Sequence, residues 1–282
     1  MSFRKLLKVS FFDRKIISDW IKTISTVFFI IGTVLSFFNF TPLSKIILFT
    51  DTIIVLAFYY LYLVMKANKL KSIDFYIGKT KIMIKEGDIF NSGNRKLKII
   101  AFNEYFDTIV DDEIISRNSI NGQFIDNLDK NQKEALNEEI KLLKDGIVEE
   151  NVPRDRGNNR KFKLGTSIKF NDEFIITAFT KFDDSNRAYL QMKDLLAFYM
   201  NLWDSLDALY NSKPLVIPVL GSGITRIKQY DIDDQELLEI MLWTLKISKI
   251  KFDHPSNLTI IIHSDRFNRV NLYKIKEGNY GI

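Results

Sequence analysis

The chain reads as a two-helix membrane hairpin followed by an α/β or α+β domain with a mixed central sheet. Three observations carry this reading. Thr23–Phe40 is free of charged residues, and Ile46–Met65 carries one, Asp51, near its start. After Lys71 the pattern changes to short apolar runs that alternate with amphipathic stretches, the mark of strands exchanging with helices on a sheet. At about 1.5 Å rise per residue, each apolar run makes a helix as long as the hydrocarbon layer is thick.

The hairpin comes first along the chain. Thr41-Pro42-Leu43-Ser44-Lys45 joins the two runs. Val27–Leu35 and Ile53–Phe58 lack the polar stripe at 3.6-residue spacing that a core helix of a soluble domain keeps. The first run starts well inside the chain and a second follows at once, which argues against a cleaved signal peptide. Arg4, Lys5, Lys8, Arg14, Lys15 and Lys22 precede it; Lys66, Lys69 and Lys71 follow the second run; the turn has only Lys45. This asymmetry places both termini of a multi-pass hairpin in the cytoplasm. Tyr59, Tyr60 and Tyr62 match an aromatic belt, and Asp51 is expected near the outer interface as a solvated carboxylate. The basic, aromatic segment 1–21 is favoured as a helix lying on the inner leaflet, over a cytosolic extension of the first membrane helix. The domains are therefore 1–71, with spans 23–40 and 46–65, and 72–282.

Composition excludes several chemistries. The chain of 282 residues has no cysteine and two histidines, His254 and His263. Disulfides, thiolate metal sites, a Cys nucleophile and a His-rich metal centre are excluded. The net charge of +5 is supplied by the N-terminal and juxtamembrane bases. It suits an anionic leaflet rather than a nucleic-acid groove.

Beyond the hairpin, Lys81–Lys85 alternates as a strand and runs into Gly87-Asp88-Ile89. Lys96–Phe102 is a second strand, ending at Asn103. Asn131–Lys144 is an amphipathic helix stopped near Gly146. Phe162–Lys169 and Glu173–Thr180 flank Asn171-Asp172 as a hairpin. Arg187–Asn211 reads as one long helix and Leu215–Val219 as a buried strand. Asp233–Lys249 is a helix with Asp233 as N-cap and Glu236 closing a capping box. Leu258–His263 is an apolar strand, with His263 a structural or pocket residue, and Val270–Ile275 is expected as an edge strand.

The sharpest local motif is Leu220-Gly221-Ser222-Gly223-Ile224-Thr225-Arg226, into which a buried strand empties. Glycines let backbone N–H groups approach a phosphate, and strand C-termini are where α/β sheets bind ligands. The lysine of a P-loop and the spacing of GxGxxG are both absent, so a plain tight turn stays an equal alternative for the motif taken alone.

Ile84-Lys85-Glu86-Gly87-Asp88-Ile89, Ala101-Phe102-Asn103, Ser119-Ile120-Asn121-Gly122 and Leu220–Ile224 together resemble a macro domain, the ADP-ribose-binding α/β/α fold. The resemblance implies that Asp88, beside Ile89, reads adenine and that Gly221, Ser222, Gly223 and Ile224 form a diphosphate loop, with Leu220, Thr225 and Arg226 beside it. Asn103, Asn121 and Gly122 are the weaker matches, on the distal-ribose side. Phe106 and Phe124 are candidates to stack on adenine or ribose. The Asn-Ala-Ala-Asn and Gly-Gly-Gly-Val stretches of ADP-ribosyl hydrolases are absent, so binding without turnover is expected, with no catalytic residue, no cofactor and no metal. A tethered ADP-ribosyl hydrolase using Asn103 and Asp107 is the alternative, and a plain anchor with a protein-interaction domain a third reading.

The hairpin followed by such a domain is similar to the membrane-anchored effectors of Thoeris antiphage defence. That resemblance implies a TIR-domain partner that makes an ADP-ribose-containing signal from NAD, expected to be a histidine–ADP-ribose conjugate. It also implies capture of the signal by the macro domain, homo-oligomerisation and disruption of the host membrane, with no nucleic acid involved.

Overall fold

Asp13 and Thr41 start the two long helices. In the computed structural model, which describes residues 8–183, 187–223, 226–227, 231–252 and 256–277, α1 spans Arg14–Phe37 and α2 spans Pro42–Asn68. The Asp13 carboxylate accepts from the Lys15 and Ile16 amides at 3.0 and 3.2 Å, capping α1. Thr41 caps α2, with Pro42 in the first turn, where its missing N–H costs nothing. Both helices are long and apolar enough to cross a membrane. Their hydroxyls are paired inside the helix: Thr33 donates to the Phe29 carbonyl, Ser36 to Gly32, Thr50 to Ile46 and Thr52 to Leu48.

The segment before α1 is not an interfacial helix over its described part. Residues 8–13 form turns, and helix begins only at Arg14. Val9 is held to the end of α2, donating its amide to Asn68 Oδ1 at 3.0 Å and accepting from Asn68 Nδ2 at 3.2 Å. That pairing gives the backbone partners a helix would otherwise supply.

The rest of the chain builds strands β1 (Ser72–Ile77), β2 (Thr80–Glu86) and β3 (Leu97–Asn103), helices α3 (Ile120–Asp126) and α4 (Lys130–Leu142), then strands β4 (Ile147–Glu149), β5 (Lys161–Phe162), β6 (Ser167–Phe170), β7 (Phe174–Phe182) and β8 (Ala188–Leu190). Next come α5 (Met192–Leu209), β9 (Leu215–Pro218), β10 (Arg226–Ile227), α6 (Asp234–Ser248), β11 (Leu258–Ile262), α7 (Ser264–Phe267) and α8 (Leu272–Glu277). The main sheet runs β1-β2-β11-β9-β3-β7-β8-β10, with β6 antiparallel on β7; β4 and β5 pair separately. The five central strands β2, β11, β9, β3 and β7 are mutually parallel. β9 and β11 are buried along their whole length and β3 nearly so, which is why Leu215–Pro218 and Leu258–Ile262 read as apolar runs, while β2 alternates buried and half-buried residues.

The expected hairpin is present but shorter on its first arm. Asn171 and Asp172 both take positive φ, 50° and 53°, in the three-residue connection between the paired Phe170 and Phe174. The start of the expected first arm, Phe162, pairs with β4 instead. Two expectations are corrected. The long helix begins at Met192, because Ala188–Leu190 pairs with both β7 and β10. Val270–Ile275 is not an edge strand: Leu272–Glu277 is helix α8. Its apolar residues Leu272 and Ile275 are three apart, a spacing that buries one face of a helix, and both are buried. The capping boxes at Asp129–Gln132 and Asp233–Glu236 fix the starts of α4 and α6.

By contacts the chain divides into two compact units. One is the hairpin segment through Lys71 together with Asn271–Gly278; the other is Ser72–Val270. The C-terminal α8 thus groups with the helical hairpin, where Tyr273 Oη donates to Asp19 Oδ2 at 2.9 Å.

Candidate functional site

Because the five central strands are parallel, their carboxyl ends, Glu86, Ile262, Pro218, Asn103 and Phe182, lie along one edge of the sheet. That edge is where open α/β sheets bind ligands. The loops leaving it carry Gly87-Asp88-Ile89, His263, Val219–Gly223 and Asn103–Asp107. At about 4.8 Å per strand, the three steps from β2 to β3 put the Asp88 and Asn103 corners about 14 Å apart, with the Gly221 corner between them.

Asp88 is half-buried. Its carboxylate accepts from the Phe90 amide at 3.0 Å and from Asn91 Nδ2 at 2.9 Å. The corner is stitched to its neighbour by the Gly87 amide, which donates to the Ile262 carbonyl at 3.0 Å. Ile89 is buried in the core, so only its backbone is at the edge. On the β9 corner, the Val219 amide donates to the Ile261 carbonyl at 3.2 Å and Ser222 Oγ donates to the Val219 carbonyl at 2.7 Å. Leu220 is buried beneath the turn. Gly221 has φ +88°, a conformation that side chains disfavour, and this permits the sharp exit from the strand. Ile224 and Thr225 lie outside the described residues; Arg226 is described only as the backbone of β10.

The β3 corner is arranged differently from expectation. Asn103 is buried, and its amide group works inside the loop: Nδ2 donates to Asp107 Oδ2 at 3.0 Å, while Oδ1 accepts from the Tyr105 and Asp107 amides. Asp107 is completely buried. It accepts from Arg154 Nη1 and Nη2 at 3.1 and 2.8 Å and from the Asn158 amide at 2.7 Å. Arg154 lies over the Tyr105 ring at 3.9 Å. Phe106 and Phe124, candidates for stacking on a ligand, are both core residues: Phe106 packs on Phe102 and Phe162, Phe124 on Phe102, Phe170 and Phe174. A chain with 23 phenylalanines fills its core with them, so apolar burial outcompetes an exposed stacking role.

Asn121 and Gly122 open α3. Asn121 is buried with Oδ1 unpaired, and the Gly122 amide is capped by Ser119 Oγ at 2.9 Å. Sequence reasoning did not single out three charged residues near the β11 corner, Asp234, Arg266 and Arg269. Asp234 is buried and lies 3.8 and 3.9 Å from the two guanidinium groups. Burial pushes its carboxyl up, against the pull of both arginines. The arginines are distant from Asp234 in sequence, so no local spacing announces the cluster. His263 caps α7, its Nδ1 accepting from the Asp265 amide at 3.4 Å.

Glu104, next to Asn103, is almost fully buried. Its Oε1 accepts from the Phe182 amide at 3.2 Å, and Lys161 Nζ lies 3.6 Å from Oε2. Burial is the largest influence and raises its pKa; Lys161 pulls the other way without cancelling it. The folded protein then keeps a proton on Glu104 at pH values where the unfolded chain has released it. Folding stability is expected to fall as pH rises from the ordinary carboxylate range through the raised value. Thermal melts between about pH 4 and 7 check this. The Glu104→Gln variant should lose this part of the pH dependence; a profile parallel to that of the unmodified protein would contradict it.

A parallel-centred mixed sheet with flanking helices, whose strand ends gather Gly-Asp-Ile and Gly-Ser-Gly loops, is a macro domain. The family model described as Thoeris protein ThsA, Macro domain, matches residues 82–263, and the chain belongs to that family. The Thoeris protein ThsA of Bacillus amyloliquefaciens (strain Y2) is 40% identical over 214 residues, 74% of this chain and 71% of the relative. Two solved structures of an Oceanobacillus iheyensis macrodomain, one with ADP and one with MES bound, each align over 73% of this chain and 95% of their own at 15% identity, with TM-scores of 0.48 and 0.47. The two N-terminal apolar helices fit a membrane-anchored member of the Thoeris family.

Proposed function

We propose that this protein is an antiphage-defence effector whose macro domain binds an ADP-ribose-containing signal across the carboxyl ends of β2, β11, β9 and β3. The observation that carries the reading is the convergence of the Asp88 and Gly221–Gly223 loops on that one edge, separated only by β11. Asp88 supplies a carboxylate for an adenine amino group. The Gly221, Ser222 and Gly223 backbone supplies N–H groups for a diphosphate, and Gly223 has open space around its α-carbon. Ile224, Thr225 and Arg226, next in the chain, are assigned to the same ligand, and Asn121 and Gly122 to its distal side. The signal is a histidine–ADP-ribose conjugate made from NAD by a TIR-domain partner. The effector sits in the bacterial plasma membrane with both termini cytoplasmic, assembles when the signal binds, and disrupts the membrane. It acts by binding and not by turnover. Asn103 and Asp107, the pair a hydrolase would use, are enclosed and committed to each other and to Arg154.

Calorimetric titration of the full-length protein in nanodiscs with ADP-ribose tests the site. Binding tighter than about 100 µM is expected, weakened roughly 10- to 100-fold by Asp88→Ala and by Gly223→Arg. Absence of binding, or binding indifferent to both substitutions, would refute the assignment. Steady release of product from an ADP-ribosylated substrate would refute the non-catalytic reading.

A further inference from the structure

The strand between the Asp88 and Gly221 corners, β11, ends at Ile262. The residues just past that end carry charges that neither corner uses. Arg266 and Arg269 follow Ile262 by four and seven positions, the first in α7 and the second just beyond it. At about 4.8 Å per strand, the β11 corner is one step from each of the other two. Asp234, the first residue of α6, meets both guanidinium groups, its Oδ2 at 3.8 Å from Arg266 Nη1 and 3.9 Å from Arg269 Nη1.

These contacts are loose. A charge-assisted N–H to carboxylate bond runs about 2.7–2.9 Å, and Arg154 reaches Asp107 at 2.8 Å. Asp234 is 6% exposed, yet its Oδ2 is enclosed with no hydrogen-bond partner among the described residues. Neither guanidinium group donates a hydrogen bond to a described residue. The neighbouring acids are engaged elsewhere: Asp233 accepts from the Glu236 amide at 2.8 Å, and Asp265 lies 3.4 Å from His263 Nδ1. The two arginine side chains are 35% and 61% exposed. Two guanidinium groups against one carboxylate leave a positive charge, with donors open to solvent. A closed pair such as Arg154–Asp107 resists release to a ligand, whereas a loose, half-open one gives up little on turning outward.

We infer that Arg266 and Arg269 are the cationic side of the nucleotide site and bind the ligand's diphosphate from the β11 corner, while the Gly221–Gly223 backbone holds it from the β9 corner. The ligand class follows from the chemistry. The planar guanidinium fork matches phosphate oxygens, and two forks on one carboxylate are one anion short. Backbone N–H groups carry no net charge, so the Gly221–Gly223 turn alone cannot neutralise a diphosphate; the arginines supply that charge. Asp234 is a positioning residue that holds both side chains at the strand end and acts through them. The inference rests on the proposed nucleotide site and deepens it by naming its charged residues.

Calorimetric titration of the full-length protein in nanodiscs with ADP-ribose, in about 0.05 and 0.5 M NaCl, tests the assignment. Arg266→Gln and Arg269→Gln are each expected to weaken binding about 10-fold at the lower salt. Each should also shrink the loss of affinity that added salt causes in the unmodified protein. Arg269→Lys keeps the charge and should recover the salt dependence and part of the affinity. Arg269 is the more exposed of the two, so its Gln variant should melt at the temperature of the unmodified protein. Affinity unchanged in both Gln variants, with Asp88→Ala still weakening binding, would overturn the role of the arginines and leave the proposed site standing. Weaker binding with the salt dependence intact would also overturn it, because shape and not charge would then have been lost. No ADP-ribose binding by the unmodified protein would overturn the site and this inference together.

Discussion

Arg154→Ala is expected to lower the stability of the Ser72–Val270 unit by about 3–5 kcal/mol, the usual cost of removing one partner from a buried ion pair. Asp107 is 0% exposed and Arg154 10%, so water cannot replace the guanidinium. The arginine also donates from Nη1 to the Asn158 carbonyl at 2.6 Å and covers the Tyr105 ring. Its loss therefore frees both ends of a strap that ties the 151–160 segment to the end of β3. Urea unfolding followed by the fluorescence of Trp203, buried against Tyr199, measures the effect. Arg154→Lys should recover only part of it, since an ammonium group cannot form the paired bonds to both carboxylate oxygens. The Asp107→Ala/Arg154→Ala pair should cost less than the sum of the single changes, because the double variant leaves no unpaired charge behind. A loss below about 1 kcal/mol for Arg154→Ala, the range of exposed ion pairs, would contradict the burial argument.

Gly122→Ala is the second large effect, about 3 kcal/mol. A methyl group there meets the Ser116 carbonyl oxygen at 2.2 Å and the Arg117 α-carbon at 3.0 Å. Both obstacles are backbone, so no side-chain rotation relieves the clash. The loop that carries them is pinned by the Asp111 carboxylate, which accepts from the Glu113 and Ile114 amides at 3.0 and 2.8 Å, and by Asp112, which accepts from the Arg117 amide at 2.8 Å. Either α3 moves off β3, opening the Phe102–Phe124 contact, or the loop gives up these bonds. The same unfolding experiment reads the cost. Gly32→Ala on α1, where nothing lies within 4 Å of the new methyl group, is the comparison and should be nearly neutral. Equal midpoints for the two variants would show that the 116–122 turn adapts.

The sequence by itself determined whatever rests on local periodicity and composition. Apolar runs of membrane length, with Asp51 the one charge between them, announced α1 and α2. Continuous apolar runs announced β3, β9 and β11, and the Asp233–Glu236 pair announced the start of α6. The Gly-Asp-Ile and Gly-Ser-Gly motifs marked two corners of the candidate site, since backbone approach to a ligand demands glycine wherever it occurs. The tertiary structure decided what depends on residues distant in sequence. Arg154 reaches Asp107 across 47 positions, and that pairing turns Asn103 inward. Phe106 and Phe124 went to the core because other phenylalanines from β3, β5, β6 and β7 surround them. Ala188–Leu190 became a strand because β7 and β10 offered hydrogen bonds on both sides, and Leu272–Glu277 became a helix that groups with the hairpin. Asp51 shows the division plainly: its charge was visible in the chain, but the side of α2 it faces follows only from which residues of that helix, Thr52 and Leu56 among them, pack inward.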